Sequence, residues 1–110
     1  MSEYYSFMLR DIGGSDLHAV KLSRRKIRIE NGTVTTLEKS GLFWGKWEEK
    51  YSWTITQSME VLYIDRMGLN NLSGSVELQD KSTGESYREY IYDELDAFIS
   101  ELNLPVSCEI

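Results

Sequence analysis

A two-residue period of apolar side chains constrains the fold of this chain more than any other feature. The most regular stretch covers residues 47–55, where large side chains alternate with polar ones. A strand places alternate residues on opposite faces, whereas a helix would scatter the same residues around its axis. The alternation therefore predicts a strand with Trp47, Tyr51 and Trp53 packed in the core. Glu49 shares their face, and we place it near the start of the strand or at a bulge.

A turn between two strand-like runs gives the clearest local prediction. Residues 26–30 alternate between apolar and charged side chains, and Asn31 and Gly32 separate them from the β-favouring run 33–36. A type I′ turn requires positive φ at both central residues, which asparagine tolerates and glycine adopts freely. These residues are therefore predicted to form a β-hairpin.

Further apolar or alternating runs raise the predicted number of strands to seven or more. They cover residues 4–10, 17–22, 59–64, 73–79 and 85–92. Segments rich in turn-forming residues separate several of them. Arg24 and Arg25 fall between two predicted strands, and we place them in a loop.

The period changes near the C-terminus, where residues 93–102 follow a helical pattern. Apolar side chains recur there at intervals of three and four, which forms one stripe along a helix. The stripe consists of Leu95, Phe98, Ile99 and Leu102. Asp93 is predicted as the N-cap and Asn103 as the left-handed residue after the helix, while Pro105 prevents continuation. A helix this short is marginal alone, so it must pack against the sheet.

Length and composition are those of one folded domain. The chain has 110 residues, of which 41% are hydrophobic and one is proline, so residues 1–110 are predicted to share a single core. The single cysteine, Cys108, excludes an internal disulfide, and the first residues lack the basic and apolar regions of a signal peptide. No run approaches the roughly 18 apolar residues that a membrane-spanning helix requires. We therefore expect a cytoplasmic protein.

The acidic net charge of −6 disfavours nucleic acid as a partner, because sequence-independent affinity for nucleic acid comes from neutralising phosphates. The charge is also uneven. Residues 1–55 carry nine basic and seven acidic side chains, and residues 56–110 carry three basic and eleven acidic ones. This asymmetry either orients a partner or forms a solvated surface that keeps the domain soluble.

Seven or so antiparallel strands followed by one terminal amphipathic helix resemble the pleckstrin-homology superfold, especially its small bacterial members. The closest local points are the hairpin around Asn31 and Gly32 and the closing helix over residues 93–102. The resemblance implies a mostly β, α+β fold. Its antiparallel strands would form a bent sheet or partial barrel, and the helix would cover one open corner.

Five basic residues lie within eight positions of the early strands: Lys21, Arg24, Arg25, Lys26 and Arg28. Phosphoinositide-binding members of the superfold resemble this chain in carrying basic residues there, and such a cluster attracts anionic head groups. An ordinary solvated strand edge explains the same residues, because edge charges discourage sheet-to-sheet aggregation. The cluster therefore predicts either an anion-binding site or a protective edge.

Phe43 and Trp44 are the preferred candidates for contact with a partner. Glycines at 41 and 45 flank them, and a glycine-flanked bend lies more often on the surface than in the core. Aromatic residues are also enriched among the residues that dominate binding energy at protein interfaces.

The sequence contains no recognisable catalytic or metal-binding constellation. His18 is the only histidine, nothing in the sequence brings it to Cys108, and no phosphate-binding glycine loop occurs. We therefore expect a non-enzymatic binding or adaptor domain, without metal or cofactor, that engages a protein partner or itself as a homo-oligomer. The alternative is a peripheral module that binds anionic lipid head groups through residues 21–28.

Overall fold

The computed structural model describes residues 1–11, 17–41, 45–67 and 72–107. Within these ranges, seven β-strands and one α-helix follow one another along the chain. The strands are β1 (Ser2–Asp11), β2 (Leu17–Glu30), β3 (Thr33–Lys39), β4 (Trp47–Thr54), β5 (Met59–Met67), β6 (Ser73–Asp80) and β7 (Ser86–Ile91), and the helix is α1 (Leu95–Leu102).

The strands form two antiparallel sheets. The first sheet contains β1 to β4 in chain order, and the second contains β5 to β7, also in chain order. The predicted fold class is therefore confirmed: the protein is mostly antiparallel β, with one C-terminal helix. Across the described ranges, the two sheets do not close into a barrel.

The turn between β2 and β3 has the predicted backbone. Asn31 and Gly32 both have positive φ, at 51° and 75°, as a type I′ turn requires. Ile29 lies opposite Val34 across the hairpin, and both are buried. The hairpin thus directs apolar side chains to the face of the first sheet that packs in the core, which we call the inner face.

The core contains side chains from both sheets and from α1. Its buried members are Tyr4, Ile27, Ile29, Val34, Trp53, Met59, Val61, Ile64, Val76, Leu78, Ile91, Leu95, Phe98 and Leu102. Full burial of one large apolar side chain stabilises a fold by roughly 1.5–3 kcal/mol. The three helix residues in this set explain why α1 is ordered although it has only eight residues.

The packing of α1 against β6 depends on a glycine. Leu95 is fully buried beside Gly74. A Cβ atom at Gly74 would lie 2.6 Å from Cδ2 of Leu95 and would also overlap the backbone oxygen of Asp65. Any larger residue at position 74 would therefore push the helix away from the second sheet.

Tyr4 connects β1 to the helix. Its hydroxyl donates a hydrogen bond to Oε1 of Glu101 at 2.5 Å, and its ring meets the ring of Phe98 edge to face, with centroids 5.3 Å apart. Burial and the acceptor Glu101 raise the pKa of Tyr4 to about 12. The phenol therefore stays a hydrogen-bond donor at neutral pH.

The two ends of α1 differ in how well they were predicted. The helix begins at Leu95, so the N-cap position belongs to Glu94, which makes no side-chain cap hydrogen bond. The prediction of Asp93 as N-cap is therefore wrong. Asp93 instead has a φ of 46°, because it makes the left-handed turn between β7 and the helix. At the other end Asn103 has the predicted left-handed conformation, with φ at 52°.

Trp53 lies in the core as predicted, but Trp47 and Tyr51 do not. Trp53 is 6% exposed and Tyr51 is 52% exposed, while Trp47 is half-buried. The pairing of β4 with β3 skips Lys50, so a bulge breaks the two-residue period directly after Glu49. Trp47 and Glu49 consequently face away from the core, on the outer face of the first sheet.

Arg24 and Arg25 belong to a strand rather than to the predicted loop. β2 continues through both residues, and Arg25 pairs with β3. On the β1 side, however, the pairing passes from Lys26 to Leu22 between two consecutive residues of β1. Residues 23–25 therefore form a large bulge on that side only, which explains why the sequence around them does not alternate.

A buried carboxylate fixes the turns at one end of the second sheet. Asp80 accepts hydrogen bonds from the hydroxyls of Ser58 at 2.6 Å and Ser82 at 2.7 Å, and from the backbone N–H of Ser82 at 2.9 Å. These hydrogen bonds lower the pKa of Asp80 to about 2. The carboxylate thus links the start of β5 to the turn between β6 and β7.

Candidate binding surfaces

The bulge in β2 opens a cavity of about 390 Å³ at the surface of the first sheet. It is lined by Lys21, Leu22, Ser23, Arg24, Arg25, Glu38 and Lys39. Four of these residues are basic and one is acidic. Three of the five basic residues singled out in the sequence therefore line one cavity.

Neutral groups hold the basic side chains of this cavity. Arg24 donates hydrogen bonds to the backbone oxygens of Lys39, at 2.9 Å, and of Gly41. The ammonium nitrogen of Lys21 lies 4.0 Å from the ring centroid of Tyr5, within range of a cation–π interaction. Neither cation forms a salt bridge with a carboxylate in the described residues, so an anionic ligand would not have to displace one there.

Arg25 also lines the cavity. Its guanidinium donates a hydrogen bond to the hydroxyl of Tyr51 at 2.7 Å. Its Nε is buried without a hydrogen-bond partner, as is the hydroxyl of Thr36. Both side chains lie on the inner face, because Arg25 and Ile27 alternate along β2 and Thr36 lies opposite Ile27.

Lys26 and Arg28, by contrast, do not reach the cavity. They lie on the outer face and share the carboxylate of Glu3, at 3.1 and 3.2 Å. Burial alone would raise the pKa of Glu3, but the hydrogen bonds and charges of Lys26 and Arg28 lower it below its ordinary value. Arg28 also lies 3.8 Å from Glu49. The predicted five-residue cluster is therefore divided between the two faces of the sheet.

A second carboxylate is buried where the two sheets face each other. Glu89 is 3% exposed and accepts a hydrogen bond from the indole N–H of Trp53 at 3.0 Å. The ring of Trp53 stacks on Tyr87, with centroids 4.8 Å apart. Burial raises the pKa of Glu89, although the indole hydrogen bond and the charge of Arg25 act in the opposite direction. The inward position of Glu89 in the β7 alternation was the only sequence signal for this buried acid.

The edge of β4 is a further candidate surface. β4 is the outermost strand of the first sheet, and no strand in the described ranges pairs with its far side. Residues 48–52 are exposed without interruption. An open edge with exposed side chains can accept an added strand from a partner.

Two backbone hydrogen bonds at the ends of the β3–β4 pairing indicate which groups of β4 point outward. At one end the oxygen of Lys46 accepts from the N–H of Ser40 at 3.1 Å, and at the other the N–H of Ile55 donates to the oxygen of Gly32 at 2.7 Å. Backbone groups alternate in direction along an antiparallel strand, and the bulge takes up Lys50. The residues that present N–H and C=O groups to the far side are Trp47, Glu49, Ser52 and Thr54.

The predicted contact residues Phe43 and Trp44 lie outside the described residues, as does Cys108. The connection between β3 and β4 is described at residues 40–41 and 45–46, and the backbone oxygen of Gly41 accepts a hydrogen bond from Arg24. The role predicted for Phe43 and Trp44 stays a prediction.

Within the described parts of the chain, no group of histidine, cysteine and acidic residues has an arrangement that could hold a metal ion. We also find no helix there with the length and apolar character needed to cross a bilayer. Comparisons with protein-family models, curated proteins and solved structures find no match to this chain. The pleckstrin-homology resemblance therefore rests on element order alone.

Proposed function

We propose that this chain is a small, non-enzymatic binding domain of the cytoplasm, with a pleckstrin-homology-like arrangement of elements. It engages a protein partner, or another copy of itself, through the far edge of β4. The single observation that carries this proposal is the edge itself, which combines outward backbone groups with five consecutive exposed residues. A partner strand would gain main-chain hydrogen bonds there and side-chain specificity from alternate residues.

The side chains beside the edge suit a protein interface. Tyr51 is half exposed, and the guanidinium of Arg25 holds its hydroxyl at 2.7 Å. Tyrosine and arginine are enriched among the residues that dominate binding energy. Because this tyrosine is fixed by a hydrogen bond, binding would cost little of its rotational freedom.

A proline substitution on the far side of β4 tests this proposal. Proline removes one outward N–H but is tolerated on an edge strand, so Ser52→Pro should abolish partner capture and leave the fold intact. Ser52→Ala, which keeps the N–H, is the matched control. Both variants and the wild type are immobilised and used to capture proteins from a lysate of the source organism, after circular dichroism confirms that each is folded. Equal recovery of the same proteins by Ser52→Pro and Ser52→Ala would contradict the proposal.

The cavity supports a second candidate function, the binding of anionic lipid head groups. Lys21 and Arg24 have no acidic partner in the described residues, whereas Lys26 and Arg28 are already paired with Glu3. If the cavity binds head groups, Lys21→Gln should weaken capture, while Lys26→Gln should leave it nearly unchanged.

Co-sedimentation with vesicles separates this candidate from the first. Vesicles of phosphatidylcholine with phosphatidylserine should capture the wild type in a salt-sensitive manner, and pure phosphatidylcholine vesicles should not. Equal loss of capture in Lys21→Gln and Lys26→Gln would indicate diffuse attraction by charge rather than a site. No capture at any salt concentration would eliminate the lipid candidate.

A further inference from the structure

The charges of β4 are arranged so that the strand is complementary to itself. Glu48 and Lys50 lie on the same face, with the carboxylate and ammonium 3.4 Å apart, and both are well exposed. Glu49, between them in sequence, lies on the opposite face beside Arg28. An acidic and a basic side chain therefore flank a central residue whose backbone groups point away from β3.

From this arrangement we infer that the occupant of the β4 edge is a second copy of this chain, paired antiparallel about Glu49. The inference rests on the proposed function and names its partner. A two-fold axis at Glu49 places the residue before it in one strand opposite the residue after it in the other. Glu48 of each copy then faces Lys50 of the other copy, which gives two opposite-charge pairs on one face.

The positions of the outward backbone groups agree with this register. Glu49 presents its N–H and C=O to the far side, so two copies can exchange hydrogen bonds at the axis. At the bulge, Lys50 and Tyr51 of one copy both lie opposite Glu48 of the other. Beyond the bulge, Trp47 of one copy faces Ser52 of the other. Both of these residues also present their backbone groups outward, so the ladder continues on each side of the axis.

Backbone direction and charge select this register over its neighbours. A pair centred on Glu48 is excluded because the N–H and C=O of Glu48 point toward β3, and a pair centred on Ser52 would leave the charged residues without opposite partners. Charges on an edge strand oppose unselective pairing, but they permit a register in which they are complementary. The one like-charge contact in the inferred pair is between the two Glu49 side chains, each of which has Arg28 at 3.8 Å on its own chain.

Charge reversal tests the inferred pair, with sedimentation velocity as the measurement of self-association. The wild type should dimerise, and Glu48→Lys and Lys50→Glu should each raise the dissociation constant about tenfold or more, because each variant opposes like charges at two places. An equimolar mixture of the two variants should restore association, because both pairs then join a lysine of one variant to a glutamate of the other. Lys81→Glu reverses a charge at an exposed position in the turn between β6 and β7 and is the control, which should leave dimerisation unchanged.

Two further variants sharpen the result. Glu49→Gln should lower the dissociation constant, since it removes the like-charge contact at the axis. Ser52→Pro should weaken association, because it removes a main-chain donor from the ladder. Circular dichroism of each variant confirms the fold before sedimentation.

Three results would overturn the inference. The first is a wild type that remains monomeric at all accessible concentrations. The second is a dimer that neither single charge variant weakens. The third is a dimer that both charge variants weaken but that their equimolar mixture does not restore. The proposed function is judged separately, because a monomeric wild type that captures a different protein, and loses it in Ser52→Pro, would retain the edge as a binding site and reject only the second copy as its occupant.

Discussion

The hydrogen bond between Trp53 and Glu89 offers the sharpest test of how this core is held together. Replacing Trp53 with alanine would remove a large buried ring, which costs roughly 3–5 kcal/mol in a core. A domain of this size has a total stability of about 5–15 kcal/mol, so the alanine variant loses a large share of it and is a poor probe. Trp53→Phe is the better perturbation, since phenylalanine keeps a ring against Tyr87 and removes the indole N–H.

The expected cost of Trp53→Phe comes mainly from the carboxylate that it leaves behind. Glu89 is 3% exposed and its donor in the core is the indole, at 3.0 Å. A buried acceptor without its donor costs about 1–3 kcal/mol, and more when it is charged. We expect Trp53→Phe to lower the free energy of unfolding by about 2 kcal/mol at pH 7 or above.

The pH dependence of this cost identifies the carboxylate as its source. Burial raises the pKa of Glu89 above its ordinary value of 4.5, so the folded state holds the proton to higher pH than the unfolded state does. Stability owed to this group is therefore greatest below pH 4.5 and falls as the pH rises through the folded pKa. Glu89→Gln should be more stable than the wild type at neutral pH, and this advantage should vanish in acid.

Urea unfolding, followed by fluorescence or circular dichroism at pH 4 and pH 7.5, gives the free energy of unfolding of four proteins. They are the wild type, Trp53→Phe, Glu89→Gln and the double variant. The two substitutions should be coupled at pH 7.5 by about 1 kcal/mol or more, since residues in one hydrogen bond are not additive. The coupling should shrink at pH 4, because that pH lies below the ordinary pKa of 4.5 and burial raises the folded pKa further, so that the protonated form of Glu89 predominates in both states. A cost of Trp53→Phe that is equal at both pH values, with additive substitutions, would refute the role assigned to Glu89.

Three further predictions concern single residues. Gly74→Ala should destabilise the protein by roughly 1–3 kcal/mol in urea unfolding, because its Cβ would overlap Leu95 and force the helix outward; an unchanged midpoint would show that α1 seats differently. Asp80 has a folded pKa of about 2, so its contribution should be complete above pH 4 and disappear as the pH falls through 2. Asp80→Asn should remove that acid transition, which a pH titration of the melting temperature would detect. Trp44→Ala should leave the unfolding free energy within about 1 kcal/mol of wild type, as for a surface position, and weaken partner capture or self-association; a large loss of stability would place Trp44 in the core.

Local patterns in the sequence predict the elements of this fold well. The turn at Asn31 and Gly32 requires positive φ at two adjacent positions, and few residue pairs other than Asn-Gly satisfy that requirement. The helix stripe and the left-handed Asn103 are likewise determined within one or two turns of chain. In each of these cases the residues whose types predict the element are the same residues that adopt its backbone conformation or form its packed face.

Two features that the sequence did not predict involve partners far away in the chain. Asp93 resembles an N-cap in its residue type, but it adopts a left-handed conformation directly after Tyr92, whose N–H donates to the oxygen of Tyr5 on β1, at 2.8 Å. Glu89 occupies an inward position that alternation identifies, yet its tolerance of burial comes from Trp53 on the other sheet. The spacing of neighbouring residues in one sequence carries no information about contacts between residues so far apart.

The two bulges of the first sheet explain the failed predictions for Arg24, Arg25 and Trp47 and shape the candidate surfaces. One row of the sheet runs from Lys26 through Leu37 to Glu49, and the bulges flank it, at residues 23–25 on one side and at Lys50 on the other. A bulge adds residues to one strand, bends it and increases its twist. On β2 the added residues form the wall of the cationic cavity. On β4 the added Lys50 changes which face each residue before it occupies, so that Glu48 lies on the inner face and Glu49, with Trp47, on the outer face. The bulge thus sets the face on which Glu48 and Lys50 would meet a partner, and the same departures from the two-residue period shape both surfaces on which binding is proposed.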